Sequence, residues 1–216
     1  MKKRNIIVFD TETTGLTPGH AEIIQLSAVH VDPVRLEITD EFDSMMKPLH
    51  PENASQEALD IHGYTLEQLA EAPHPKAVWK DFGDFCNRYN PEKNMWTAPW
   101  PAGYNVGFDL GFAHECFKSY GPFDKKKNQQ TLFHYNSLDV LQLAYAWFEN
   151  DVSVKNLRLT TLMEYFGIDP DFAHNSLYDT KVTAEILIRF LKLHRNLREK
   201  YGIRFRGCMK NWTPDE

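Results

Sequence analysis

Cysteine is scarce in this chain. Only Cys86, Cys116 and Cys208 occur among 216 residues. They are scattered and odd in number, and no two stand at metal-ligand spacing. That argues against a zinc site and for a reduced, cytoplasmic setting. Long apolar runs are missing as well: no stretch approaches the ~20 residues needed to span a bilayer. After Met1-Lys2-Lys3-Arg4 only four apolar residues precede Asp10, too few for a signal peptide. No membrane association is expected. Nor is there an excess of positive charge, with 24 Lys and Arg against 30 Asp and Glu and a net charge of −6. Without a global basic field, a pure nucleic-acid-binding module is disfavoured. A metal-dependent nuclease is disfavoured less, because its acidic site lowers the net charge and bound metal restores it locally. Repeats and low-complexity runs are absent. The length fits one domain, expected over residues 1–200, with residues 201–216 as an aperiodic tail carrying Arg204, Arg206 and Lys210.

What the chain does have is a pair of acids closing an apolar strand, Asn5-Ile6-Ile7-Val8-Phe9-Asp10-Thr11-Glu12-Thr13-Thr14-Gly15-Leu16. Side chains at i and i+2 leave a strand on the same face. Asp10 and Glu12 therefore point the same way, where their charges repel and lose hydration. A divalent cation between them would relieve both effects, and carboxylate oxygens suit Mg²⁺ or Mn²⁺. Taken alone, the segment also reads as a strand running out into a Thr-rich turn.

Residues 22–31 and 35–46 read as two further strands, separated by the Pro18-Gly19 and Asp32-Pro33 turns, whose brevity favours antiparallel neighbours. Short helices follow over 55–61 and 65–70, the second opened by a Thr65/Gln68 capping box. A longer helix spans 76–89, with Val78, Trp79, Phe82 and Phe85 at helical spacing. Residues 90–101, broken by Pro91, Pro99 and Pro101, read as a loop, its Trp96 and Trp100 either anchoring it or forming a lid or stacking surface. Then come a strand ending over 102–104, a helix over 107–119, a strand over 133–139 and a helix over 140–148. A helix capped by Asn156 and closed by Gly167 precedes a long last helix over 176–198. This order predicts an α/β fold, a mixed sheet with helices on its faces. Asp10 and Glu12 lie at a strand's carboxyl end, where such sheets place their sites.

Two more acidic stations follow. Tyr104-Asn105-Val106-Gly107-Phe108-Asp109 is a strand end running into a helix, where Asn105 is a plausible N-cap and Asp109 complements the helix dipole. Asp171-Phe172-Ala173-His174-Asn175-Ser176-Leu177-Tyr178-Asp179 is a loop opening the last helix, with His174 five residues before Asp179. In order, the three stations resemble the DEDDh family of 3′→5′ exonucleases. The resemblance covers about Ile6 to Phe190, and Ile61-His62-Gly63-Tyr64-Thr65 resembles a further family element beside the substrate's terminal nucleotide. The chain departs from the family at Tyr104, where a His is frequent, in the longer Trp-rich loop, and in the roughly 35 residues between Asp139 and His174.

The resemblance implies an RNase H-like fold, a five-stranded mixed sheet flanked by helices, with Asp10 on the middle strand. It implies a 3′→5′ exonuclease releasing nucleoside 5′-monophosphates from single-stranded or frayed DNA, using two divalent cations, Mg²⁺ or Mn²⁺. Asp10, Glu12, Asp109 and Asp179 would hold the ions, and His174 would be the general base. Thr11, Gly15, Leu16, His62, Asn105 and Phe108 would meet the substrate. For Leu16 the alternative is turn packing, and for His62 a helix-end hydrogen bond. The implied partner is a nucleic-acid 3′ end, DNA ahead of RNA, with a polymerase or other replication protein alongside. An exoribonuclease and a non-catalytic RNase H-like interaction module are the competing readings. The full set of four acids plus His174 speaks against the module.

Overall fold

Strand β1 (Ile6–Thr13) is apolar on both faces because it is covered on both. Ile7 and Phe9 enter one core, and Ile6 and Val8 enter another on the opposite face. The structure is a computed structural model, and it describes residues 4–169 and 175–201. β1 pairs antiparallel with β2 (Ile23–Val31), which pairs antiparallel with β3 (Ile38–Met45). On its other side β1 pairs in parallel with β4 (Trp100–Gly103), which pairs in parallel with a short strand, Leu138–Asp139. The sheet is thus the expected mixed, five-stranded one, with β1 in the middle.

The helices sort by face. Two short ones, α1 (Gln56–His62) and α2 (Leu66–Ala70), are tied to the β1–β2 end where Ser55 N–H donates to the Thr14 carbonyl and the Tyr64 hydroxyl to Gln25, and the Thr65/Gln68 capping box of α2 is formed. Helices α3 (Pro75–Asn87) and α4 (Gly107–Tyr120) cover the face of Ile7 and Phe9 with Trp79, Phe82, Phe85, Phe112 and Phe117. After α4 comes a two-strand hairpin, β5 (Phe123–Asp124) and β6 (Gln129–Gln130), so the fifth strand of the main sheet is β7. Helices α5 (Val140–Phe148), α6 (Leu159–Phe166) and α7 (Ser176–Tyr201) cover the other face through Val140, Leu162, Met163, Val182, Ile186 and Phe190.

Three expectations need correction. Residues 90–101 are not loop throughout, because β4 begins at Trp100 and includes Pro101. Trp100 N–H donates to Asn5 on the β1 side, so the position of Pro101 that lacks an N–H turns the other way. There β7 pairs only with Ala102 and Gly103, and no ladder bond is lost. Residues 133–137 are not strand: Phe133 is buried in the α3–α4 core instead. Asn156 stands two residues before the N-cap of α6 and braces the entry turn by accepting from Arg158 N–H and the Thr161 hydroxyl. Helix α7 reaches Tyr201, the first residue of the expected tail; residues 202–216 lie outside the described residues.

Candidate active site

Asp10 and Glu12 leave β1 on the face of Ile6 and Val8, the face covered by α7. At the start of α7, Ser176 donates its hydroxyl to Asp10 Oδ2 at 3.2 Å, and Asp179 follows within the first turn. Like charges crowd at this point. Burial, and then the charge of Asp179, pushes the Asp10 carboxyl up to about 7, against the opposing effect of the Ser176 bond. Burial, Asp10 and Asp179, in that order, push Glu12 up to about 7 as well.

Asp109 reaches the same strand end from the opposite face. Thr11 points toward α4, and its N–H and hydroxyl both donate to Asp109 Oδ1, at 3.0 and 2.7 Å. Asp109 is almost wholly buried, and burial together with the charge of Asp10 raises its carboxyl well above the ordinary carboxylate range. Thr11, expected at the substrate, thus has both its donors committed to positioning an acid. The strand end carries acids on either side because alternation sends residues 10 and 12 one way and residue 11 the other. Asp10, Glu12, Asp109 and Asp179 come together; His174 lies outside the described residues.

The donor chemistry suits a hard divalent cation: three carboxyls raised by burial and by one another would all be relieved by positive charge. Among the described residues, no three His, Cys, Asp or Glu side chains are placed to hold one ion together. Asp109 is turned into its bonds with Thr11, and Asp10 toward Ser176.

The expected substrate residues divide. Leu16 is 81% exposed, an apolar side chain left in water just past the end of β1. His62, at the end of α1, stacks on Tyr64 and accepts from Tyr64 N–H at Nδ1, so its proton is on Nε2. That Nε2 is buried with no hydrogen-bond partner among the described residues, and burial lowers the ring's pKa. Gly15 is buried, and a Cβ there would meet Ala21 Cβ at 3.3 Å, so packing alone accounts for the glycine. Asn105 is not the N-cap of α4. It is exposed, has φ 59°, and donates its N–H to Asp139 Oδ1. Asn tolerates that left-handed conformation better than most residues. Phe108 is half-buried against Phe112 and belongs partly to the core.

Sequence reasoning missed the residues that brace the site. Glu12 lies opposite Gln25. Tyr64 donates its hydroxyl to Gln25 Oε1, while Gln25 and Ser27 both donate to Asp43 Oδ1. The signal was present: Gln25 and Ser27, like His30 further on, are polar residues interrupting a mainly apolar buried strand. Ser176 and Asp139, which touch Asp10 and the Asn105 backbone, had no comparable signal.

Comparison with known proteins shows the family and the fold. The profile of the RNase_T family, described as exonuclease, matches residues 7–187, a span containing all four acids and His174. The DNA polymerase III PolC-type of Bacillus subtilis (strain 168) is 31% identical over 210 residues, 94% of this chain and 13% of its own. The chain therefore spans only a small part of the length of such curated relatives. Among solved structures, E. coli exonuclease I in complex with a dT13 oligonucleotide aligns with TM-score 0.68 at 21% identity, over 92% of this chain and 45% of that one. The nuclease domain of 3′hExo, a DEDDh family member bound to rAMP, aligns with TM-score 0.65 at 21% identity, over 88% and 92%. At such identities the likeness establishes the fold, which is RNase H-like.

Proposed function

Because the chain belongs to the RNase_T exonuclease family, we propose that it is a 3′→5′ exonuclease of the DEDDh class and removes nucleotides from the 3′ end of single-stranded or frayed DNA as nucleoside 5′-monophosphates. The observation that carries this reading is the convergence of four carboxyls at the end of β1, of which those of Asp10, Glu12 and Asp109 are raised by burial and by neighbouring charge. Asp10, Glu12, Asp109 and Asp179 would hold two divalent cations, Mg²⁺ or Mn²⁺, which when bound neutralise phosphate charge and lower the pKa of water. The chain's own residues do the rest. Leu16, exposed at the rim, packs against the terminal base. His62 Nε2–H donates to the same nucleotide. His174 takes the proton from the attacking water. A terminal nucleotide must leave its stack to reach the acids, and a duplex end resists that by its unpairing energy. This supports single-strand preference. The PolC-type relatives are named as DNA polymerases, which supports DNA as substrate and a polymerase or other replication protein as partner. The structural neighbour bound to rAMP makes RNA the comparison to run beside it.

The test uses DNA and RNA oligomers labelled at either end, with chelator or with Mg²⁺ or Mn²⁺. Expected are stepwise shortening from the 3′ end, release of 5′-monophosphates, and no activity in chelator. Cutting of a circular single strand, or activity that survives chelation, would overturn the reading. His174→Ala should lower kcat by roughly 10²–10⁴ with metal affinity little changed. Near wild-type turnover in that variant would remove the base from the proposal.

A further inference from the structure

The Trp-rich loop is not explained by the acidic cleft. It lies at the other end of the sheet: Trp100 pairs with Ile6, four residue steps or about 13 Å before Asp10 along β1. The loop and the β5–β6 hairpin enclose a groove with a cavity volume of ≈ 930 Å³, lined among others by Lys93, Trp96, Lys127 and Tyr135. Its aromatics are exposed, Trp96 at 63% and Tyr135 at 60%. Exposing two large rings in contact with one another is expensive, although Tyr145, Trp147 and Tyr165 are exposed elsewhere. These rings are nevertheless held in place. Arg4 donates from Nη1 to the Trp96 carbonyl, and Trp96 N–H donates to Asn94 Oδ1. Buried Asn90 ties the loop by accepting from Asn94 N–H and the Thr97 hydroxyl. Trp96 meets Tyr135 edge-on at 6.1 Å and 85°. Tyr135 stacks on His134 and His134 on Trp100, so a row of rings runs from the sheet to the groove.

The charge beside these rings is positive, against the sign of the whole chain. The hairpin turn carries Lys125, Lys126 and Lys127, with Lys93 on the facing loop. Asp124 stands 3.8 Å from Lys127 and offsets part of that charge, and its Oδ1 also shapes the turn by accepting from Lys126 and Lys127 N–H. Exposed rings for bases and ammonium groups for phosphates, on a rigid frame, are what sequence-tolerant binding of single strands requires.

We propose that this groove binds the single-stranded nucleic acid whose 3′ end lies in the acidic cleft, holding the strand some nucleotides upstream of the bond that is cut. This rests on the exonuclease reading for the identity of the ligand. It gives a protein of net charge −6 a local basic surface on which a long substrate is retained between cuts. A short substrate confined to the acidic end would gain nothing from it.

Fluorescence anisotropy with labelled oligothymidylates of three and about 16 nucleotides, in chelator so that nothing is hydrolysed, tests it. The long strand should bind more tightly than the short one. Trp96→Ala should weaken the long strand roughly 5- to 100-fold, with Trp96→Phe restoring most of the affinity. Lys127→Gln should lower the slope of log affinity against log salt by about 0.7. With Mg²⁺ added, all three variants should cleave the trinucleotide at the wild-type rate. Equal binding of the long strand by wild type and Trp96→Ala, or a salt slope that Lys127→Gln leaves unchanged, would overturn the proposal. Loss of trinucleotide cleavage in the wild type, with long-strand binding intact, would instead overturn the activity and leave the groove standing.

Discussion

Leu16 separates substrate binding from folding at a single residue. Its side chain is 81% exposed, so Leu16→Ala removes no packing, and its effect on stability should stay within about 0.5 kcal/mol. If it holds the terminal base, KM should rise several-fold with little change in kcat for single-stranded substrate. A melting-temperature loss with unchanged KM would return Leu16 to turn packing. His30 gives a second residue-scale prediction, on pH. Its ring is buried, stacked on Tyr89, and bonded at Nδ1 to Thr39 and at Nε2 to Asn5. Burial lowers its pKa to about 4, although Asp32 and Asp40 act the other way. The native state therefore binds fewer protons there than the unfolded chain. The contribution is fully present above the ordinary value near 6.5 and is lost as pH falls toward 4. Its size is on the order of 3 kcal/mol. Urea melts across that window should show a smaller fall in His30→Gln than in wild type; equal falls would show that His30 is not the group responsible.

At the scale of the element, the site depends on how closely β4 lies against β1. A Cβ on Gly103 would sit 2.9 Å from the Phe9 carbonyl oxygen and 3.1 Å from Val106 Cγ2. The first is backbone and cannot swing aside, and it belongs to the residue before Asp10. Gly103→Ala should therefore push the two strands apart, lowering stability by about 1–3 kcal/mol and melting temperature by roughly 2–12 °C. Activity should fall beyond what the lost folded fraction explains, because the acid's own strand has moved. A variant that melts and cleaves like wild type would mean that β4 has slack at this point.

At the scale of the whole molecule, the acidic cleft sets stability against function. The charge of Asp10 meets those of Glu12 on its own strand, Asp179 on α7 and Asp109 from the opposite face. Without a cation their repulsion acts on the assembled fold and not on the unfolded chain. Asp10→Asn should therefore melt higher than wild type in chelator while its side-chain oxygen still accepts from Ser176. Metal bound to the native state alone adds about 2.7 kcal/mol at 100-fold excess over Kd. The variant should gain less than that from Mg²⁺ or Mn²⁺. Thermal melts of both proteins decide it: lower stability in chelator with an undiminished metal response would make Asp10 a turn residue.

Local sequence determined a good deal. Alternation put Asp10 and Glu12 on one face, the Thr65/Gln68 capping box and Gly167 marked helix ends, and the short turns at 17–20 and 32–35 made β1, β2 and β3 neighbours. These rest on contacts between residues a few positions apart, and such contacts leave a pattern in the chain. Three motifs in order then carried the family and four acids of the site. Tertiary structure alone decided the rest. Pro101 joins a strand only because the neighbouring strand is short at that level. Asn105 takes a left-handed turn beside Asp139, 34 positions away. Thr11 meets Asp109 across 98 positions, and Ser176 meets Asp10 across 166. The basic groove joins two segments, each of which reads as an ordinary loop. No local period encodes such pairings, because they are fixed by how two cores close on opposite faces of one sheet.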